Sequence, residues 1–291
     1  MPVLDSEFMK KLDQLELLSR KVFTGRLKGE RRSKKRGISI EFADYRDYVP
    51  GDDLRFLDWN IYGRLDRLFV KLFMEEEDLY VYLLIDASKS MDYGEPSKLE
   101  YAKKVAAALG YITLTNMERV SIGAFSDTVK DYFRPARGKS QMWKMFDFLE
   151  NIQAEGTTGL SESCRRFALR NRTKGMVILL SDFLDPAGYE EGLRLFAGMK
   201  YDLYAIHILS EDEVNPPYTG DMKLVDAETG LDAEITMSDP LMKVYQNRVR
   251  NFCDGLKNFC SKRDISYLYT TTAAPFDQLV LSYLKQGGLL K

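Results

Sequence analysis

Two unbroken apolar runs stand out in a chain that otherwise alternates: Leu79–Ile85, reading LYVYLLI, and Met176–Leu180, reading MVILL. Runs of this length, rich in Val, Ile and Tyr, suit strands covered on both faces at the centre of a parallel sheet. Each ends in polar residues, the first in Asp86-Ala87-Ser88-Lys89-Ser90 and the second in Ser181-Asp182. Between and after them the pattern switches to helical spacing. Leu99, Ala102, Val105, Ala106, Leu109 and Ile112 predict an amphipathic helix from about Ser97 to Thr115, started by Pro96-Ser97. Met142, Met145, Phe146 and Leu149 predict another over about 140–151, and further helices are predicted over 160–170, 187–199, 239–263 and 275–285. Residues 119–125, 201–209 and 266–270 read as strands, and 128–133 as a shorter one. Met222–Val225 and Ala233–Met237 flank Asp226-Ala227-Glu228-Thr229-Gly230, a β-hairpin insertion read as a plain turn with its glycine in the left-handed position. Strands and helices alternating in this way define an α/β class, a doubly wound, mostly parallel sheet covered by helices on both faces.

Ahead of this domain the pattern is less regular. Phe8, Leu12 and Leu15 predict a first helix from about Ser6 to Phe23. From Gly37 to Asp78 strand-like pieces alternate with turns, the strongest being Val49-Pro50-Gly51-Asp52. Arg46, Asp52, Asp53, Arg55, Asp58, Arg64, Asp66 and Arg67 alternate in sign among aromatics, which predicts an ion-pair network around Trp59. Phe42, Tyr48, Phe56, Trp59, Phe69 and Phe73 are too few for a separate core of ordinary size. The expected organisation is therefore residues 1–77 as helix, basic arm and extension packed on the core, and 78–291 as the α/β domain with its hairpin near 222–237.

Composition narrows the function classes. The 291 residues are 45% apolar and 30% charged, as in a soluble globular protein. No apolar run approaches the roughly 18 to 20 residues that span a bilayer, and the first residues are too charged for a signal peptide, so a cytoplasmic protein without membrane insertion is expected. Three cysteines, Cys164, Cys253 and Cys260, with no C-x-x-C spacing predict neither a disulfide framework nor a zinc site. Net charge is only −2, but residues 20–36 hold nine basic side chains against Glu30 alone. Such a block contacts nucleic acid or anionic lipid, or forms a solvated arm against an acidic surface. Without aromatics between Arg26 and Arg36, single-strand binding is disfavoured.

The candidate chemistry lies at the strand ends. In open α/β sheets ligands bind at the carboxyl edge, where the loops leaving the strands form a crevice. Asp86, Ser88 and Ser90, at alternate positions in a tight turn, supply one carboxylate and two hydroxyls. These hard oxygens favour Mg²⁺, Mn²⁺ or Ca²⁺ over zinc or copper. The competing reading is a polar turn with an N-cap serine. Two strand-end aspartates with Mg²⁺ also serve phosphoryl chemistry, so a Mg²⁺-dependent phosphohydrolase is the alternative. Against it, Ser88 stands where the phosphatase pattern wants a second carboxylate. The single histidine, His207, lies within an apolar strand, which fits a core residue better than a general base.

Asp86-x-Ser88-x-Ser90, a Gly-Thr loop at Thr158 and Asp182 together resemble the metal-ion-dependent adhesion site of von Willebrand factor A domains, over roughly Asp78 to Leu209. The resemblance implies that Ser88, Ser90 and Thr158 are direct ligands of one Mg²⁺, with Asp86 and Asp182 acting in support. Upstream, Gly37, Glu41-Phe42, Arg46-x-Tyr48-x-Pro50-Gly51-Asp52-Asp53-x-Arg55-x-x-Asp58-Trp59, Arg64 and Val70-Lys71 resemble the signature of the bacterial family called domain of unknown function 58. Its members are often associated with MoxR-type AAA+ ATPases. The resemblance thus implies a non-enzymatic, metal-dependent protein-binding module that partners such an ATPase or its client and takes a partner carboxylate at the ion. Two positions depart from the pattern. The loop reads EGTTG, so Thr157 competes with Thr158, and Phe183 replaces the usual small residue after Asp182, which is expected to restrict access.

Overall fold

The computed structural model describes residues 42–73, 79–127, 129–171, 173, 175–199, 201–218, 220–276 and 279. The expected helix over 6–23, the basic block and most of the helix expected over 275–285 lie outside them. The described residues divide into two compact units, 42–73 and 79–279.

In the smaller unit, strand β1 (Phe42–Asp47) pairs antiparallel with β2 (Phe69–Phe73), and between them lie a 3-10 turn, Leu54–Phe56, and helix α1 (Trp59–Leu65). Asp58 organises it. One carboxylate oxygen caps α1 by accepting from the Asn60 and Ile61 amides, and the other accepts from the Tyr45 hydroxyl at 3.0 Å and pairs with Lys71 at 2.9 Å. The Lys71 hydrogen bond is the main cause that holds this carboxyl down to about 2. The network expected around Trp59 is therefore centred one residue earlier, and Trp59 itself is 62% exposed. A carboxylate can satisfy a helix end, a phenol and an ammonium together, whereas an indole offers a single donor.

The larger unit contains, in order, β3 (Tyr80–Asp86), α2 (Lys98–Thr115), β4 (Arg119–Phe125), β5 (Val129–Arg137), α3 (Met142–Asn151), α4 (Leu160–Arg170), β6 (Met176–Ser181), α5 (Glu190–Gly198), β7 (Asp202–Leu209), α6 (Glu211–Val214), β8 (Gly220–Val225), β9 (Asp232–Met237), α7 (Asp239–Ser261) and β10 (Ser266–Thr271). Six strands form one sheet in the order β10-β7-β6-β3-β4-β5, parallel except for β5. From the central β3 the chain winds outward to β4 on one side and later to β6 on the other, the doubly wound arrangement expected. The loops after β3 and β6 thus flank a switch point.

Side-chain alternation assigns the faces. Tyr82 and Leu84 of β3 join Leu160, Cys164 and Phe167 of α4, Leu193 and Phe196 of α5, and Leu256 and Cys260 of α7 in one cluster. On the opposite face Leu83 lies by Gly110 of α2 and Met145 of α3. Helix α2, expected to be amphipathic, is buried over most of its circumference. Burying a Leu, Ile or Val contributes roughly 1.5–3 kcal/mol, so a strand such as β3, buried over Val81–Asp86, anchors the unit.

Helices α1 and α6 lie where no helix was expected, and two other elements differ from expectation in their bounds. Strand β5 runs nine residues and is longer than β4, because as the edge strand it tolerates Pro135, which has no amide proton to donate. Helix α5 starts at Glu190 instead of Ala187, since Asp185 and Gly188, at φ +83°, turn the chain first. Among the described residues no helix is long and apolar enough to cross a membrane.

Leu57 and Val70 are the buried apolar side chains among the described residues of the smaller unit. Among the described residues that is a small core. Residues 37–78 produced alone are expected to lack a cooperative thermal transition by circular dichroism. A sharp transition in the isolated segment would contradict this.

Candidate functional site

The ends of β3 and β6 are neighbours, Ile85 standing opposite Leu180 in parallel register, so Asp86 falls opposite Ser181 and Asp182 follows one residue beyond. Both aspartates are fully buried. Asp86 Oδ1 accepts from the Ser88 amide at 3.0 Å and the Ser88 hydroxyl at 2.7 Å, and Oδ2 accepts from the Ser181 hydroxyl at 2.6 Å. Ser88 Oγ lies 3.0 Å from Ser90 Oγ. Ser88 stands at the N-cap of the 3-10 turn Lys89–Asp92, yet its side chain caps nothing. Its hydroxyl is committed to the Asp86–Ser90 cluster, which sets aside the N-cap reading of this motif.

Three loops are laced together by backbone hydrogen bonds. The Ala87 amide donates to Phe125, Glu155 to Ala87, Lys89 to Gly156, and Gly159 to Ser126, all on carbonyl oxygens. Gly159 is required here, because a Cβ would come within 2.8 Å of the Asp127 carbonyl oxygen. Asp185 extends the lacing to the loop after β6, accepting from the Leu160 amide at 2.8 Å and the Ala187 amide at 2.7 Å. Thr158 is thereby held on this edge and is 9% exposed, whereas Thr157 points to solvent. This geometry favours Thr158 of the two. A cavity of about 200 Å³ opens beside Ala87, lined also by Ser126, Asp131 and Glu155.

Asp86, Ser88 and Ser90 thus form one contact chain, with Asp182 adjacent, but two of the expected residues already have partners. Asp182 Oδ2 receives the Lys98 ammonium at 2.6 Å, and Lys98 also reaches Glu213 at 2.6 Å. Thr158 donates its hydroxyl to Glu228 Oε1 at 2.6 Å and its amide to Oε2 at 3.0 Å. Phe183 departs from expectation in another way. At φ +58° its ring turns into the core, 5.7 Å from His207 and 6.4 Å from Tyr189, and does not gate the site. His207 is buried, meets the Tyr267 hydroxyl at 2.9 Å, and is pushed down to about 4 chiefly by burial, so its imidazole is neutral.

The electrostatics are those of incompletely compensated negative charge. Burial, and then the neighbouring Asp182, push the Asp86 carboxyl up to about 7. Burial works against the charge of Lys98, but Asp182 and Glu213 outweigh it and raise its pKa. Lys98 therefore stays an ammonium and serves two carboxylates. The expected donors, three hydroxyls and two carboxylates, are of the hard-oxygen type that a divalent cation such as Mg²⁺ takes, and the contacts join Asp86, Ser88 and Ser90 while Thr158 contacts Glu228. Among the described residues there is no cluster of three or more His, Cys, Asp or Glu side chains placed to hold a metal ion.

Sequence reasoning missed Lys98, Ser181, Asp185, Glu213 and Glu228. A signal existed for Lys98, which is the first residue of α2, where the helix dipole disfavours a cation. A lysine there needs another reason, and the Asp182–Glu213 pair supplies it.

Replacing Lys98 by Met should cost about 3–5 kcal/mol, the usual penalty for leaving a buried charge unpaired. Asp182→Asn in the same background should recover part of the loss by thermal denaturation, and strict additivity would argue against the pair. In metal-free buffer the Asp86 proton gives a second check. A carboxyl whose folded pKa lies above its unfolded value destabilises the fold as pH rises between the two, here from about 4 to about 7. Stability should therefore fall over that window in the native chain, and fall less in Asp86→Asn.

Comparison with known proteins places the chain. The uncharacterized protein Rv1480 of Mycobacterium tuberculosis is 29% identical over 249 residues, covering 82% of this chain and 76% of its own. The uncharacterized protein MAV169 of Mycobacterium avium is 37% identical over 70 residues, 24% of this chain and 41% of its own. Among solved structures the chain is similar to BatB of Bacteroides thetaiotaomicron, at 15% identity and a TM-score of 0.42, covering 72% of this chain and 99% of that one. It is also similar to the vWF domain of the type V pili tip protein Mfa5 of Porphyromonas gingivalis, at 13% identity and a TM-score of 0.37, covering 75% and 98%. The family model described as protein of unknown function DUF58 matches residues 44–252, well over half of the chain, and the protein belongs to that family.

Proposed function

We propose that the chain is a non-enzymatic, metal-dependent protein-binding module in which Asp86, Ser88, Ser90, Thr158 and Asp182 hold one Mg²⁺, with Mn²⁺ or Ca²⁺ able to substitute. The observation that carries this reading is the commitment of the Ser88 hydroxyl to Asp86 and Ser90 in place of the helix cap it stands beside. Ser88, Ser90 and Thr158 would offer neutral hydroxyl lone pairs, and Asp86 and Asp182 would balance the ion's charge. When bound, the ion supplies an electrophilic centre able to accept a carboxylate oxygen. Lys98 already neutralises part of Asp182, so the site's own acids leave charge for an incoming one to meet.

The partner suggested by the family resemblance is a MoxR-type AAA+ ATPase or a client that it remodels. One carboxylate contact is too small for a stable interface, which buries about 1,200–2,000 Å². Tyr93 and Leu184, 41% and 46% exposed in the loops after Asp86 and Asp182, are suited to anchor the rest. A phosphohydrolase has less support, because Ser88 occupies the second-carboxylate position and its hydroxyl donates to Asp86.

Titration calorimetry tests the reading. The native chain should take up one Mg²⁺, and Asp86→Asn and Ser88→Ala should each lose that heat while keeping the far-ultraviolet spectrum of the fold. Binding of the purified ATPase should weaken sharply in EDTA. Equal affinity with and without Mg²⁺ would remove the metal bridge, and metal-dependent hydrolysis of a phosphate monoester that Asp86→Asn abolishes would move the assignment to the phosphohydrolase.

A further inference from the structure

The hairpin formed by β8 and β9 leaves nearly all its side chains in solvent. Met222, Ile235 and Met237 are its partly buried strand residues, and every other strand position is exposed. A two-stranded hairpin is at best marginally stable by itself, so its placement needs a specific contact. That contact is made by Glu228, the one residue of the tip Asp226–Gly230 that is not exposed. Both of its carboxylate oxygens are used, on the hydroxyl and the amide of Thr158, a residue 70 positions earlier in the chain.

We infer that Glu228 is an internal occupant of the carboxylate-accepting side of this site, and that an external partner must present a glutamate on a similarly tight turn and displace it. The inference rests on the metal-dependent reading above and names the class of its ligand. Its chemistry is consistent with Thr158 serving an ion. A hydroxyl has one proton, and Thr158 gives it to Glu228, so only lone pairs remain for a cation. The tip is also built to display the acid. Asp226 Oδ1 accepts from the Glu228 amide at 3.1 Å, the Thr229 amide at 2.6 Å and the Thr229 hydroxyl at 2.7 Å, and Gly230 closes the turn at φ +71°. A residue with a Cβ is strained at that angle.

Tethering makes the contact effective. A group carried on the same chain acts at an effective concentration of about millimolar, so a free carboxylate at lower concentration loses to Glu228. A partner prevails by adding contacts that the hairpin lacks, and the sparse burial of β8 and β9 leaves little to oppose its release.

The test uses the full chain in Mg²⁺ and a synthetic acetylated peptide of residues 223–233, KLVDAETGLDA, followed by fluorescence anisotropy. Glu228→Ala should bind the peptide at least about tenfold more tightly than the native chain, which holds its own tip in place. The isosteric Glu228→Gln should behave in the same direction, which guards against local unfolding as the cause. A peptide with Gln at the position of Glu228 should not bind, and EDTA should abolish binding of the acidic one. Amide hydrogen exchange across 221–236 and 156–159 should accelerate in both variants. If Mg²⁺ uptake persists by calorimetry but peptide affinity and exchange match the native chain, the internal-ligand inference is overturned and the metal reading stands. If neither the native chain nor Glu228→Ala takes up Mg²⁺, the metal reading itself is overturned, and the inference with it.

Discussion

Two carboxylates buried at the ends of adjacent central strands are the constraint on which the rest of this edge depends. Parallel register puts the end of β3 beside the end of β6, and both Asp86 and Asp182 are fully out of solvent. An ionised carboxylate in such a place is costly unless it is paired or hydrogen-bonded on every side. The surrounding structure answers that demand group by group. Ser88 and Ser181 close on Asp86, the Leu184 amide closes on Asp182 Oδ1, and Lys98 is drawn in to the other oxygen at the start of a helix where its charge is otherwise unwelcome. Compensation is still incomplete, because Lys98 is shared with Glu213. Burial first, and the neighbouring Asp182 second, raise the Asp86 pKa.

The loops are ordered by the same requirement. Hydroxyls can serve a buried carboxylate only if their backbone is held, and the lacing from Ala87 through Glu155, Gly156 and Gly159 to Asp185 holds it without a large apolar contribution. This is why Gly159 has no freedom to become larger, and why Phe183 adopts a left-handed conformation that sends its ring into the core. The turn after β6 must keep the Asp182 carboxylate at the sheet edge, and burying the next side chain fixes that direction.

Much of the architecture was legible because it rests on periodicity. The apolar run Leu79–Ile85 and the 3.6-residue repeat of α2 gave their elements to within a residue or two, and helix α4 was expected over the residues it occupies. Failures fell where tertiary context overrides a local signal. The strand expected over 128–133 runs on through Pro135 because it sits on an edge, and Trp59 reads as the centre of a network that a smaller neighbour, Asp58, organises. At the candidate site the D-x-S-x-S triplet, Thr158 and Asp182 were visible as motif and position. Their partners were not, since Lys98 to Asp182 spans 84 residues and Thr158 to Glu228 spans 70, and no spacing rule reports contacts that distant.

The Lys98–Glu213 and Thr158–Glu228 contacts have a common topological origin. The segment between β7 and α7 leaves the sheet at its carboxyl edge, beside β6, and carries first α6 and then the hairpin. Helix α6 is a single turn, fixed by a capping box in which Ser210 and Glu213 exchange hydrogen bonds, and the Tyr245 hydroxyl of α7 donates to the Glu213 carbonyl at 2.6 Å. Glu213 is thus held rigidly against Lys98, and through it against Asp182. Fifteen residues later the same connection delivers Glu228 to Thr158, from a ribbon with few apolar contacts. One connection therefore contributes two acids with opposite mechanical character. Glu213 is locked into the structural charge balance, and Glu228 is displayed on an element whose release costs little buried surface. An insertion at any helix-to-strand loop would emerge at the other end of the sheet, so its placement after β7 is what brings an acid within reach of the site.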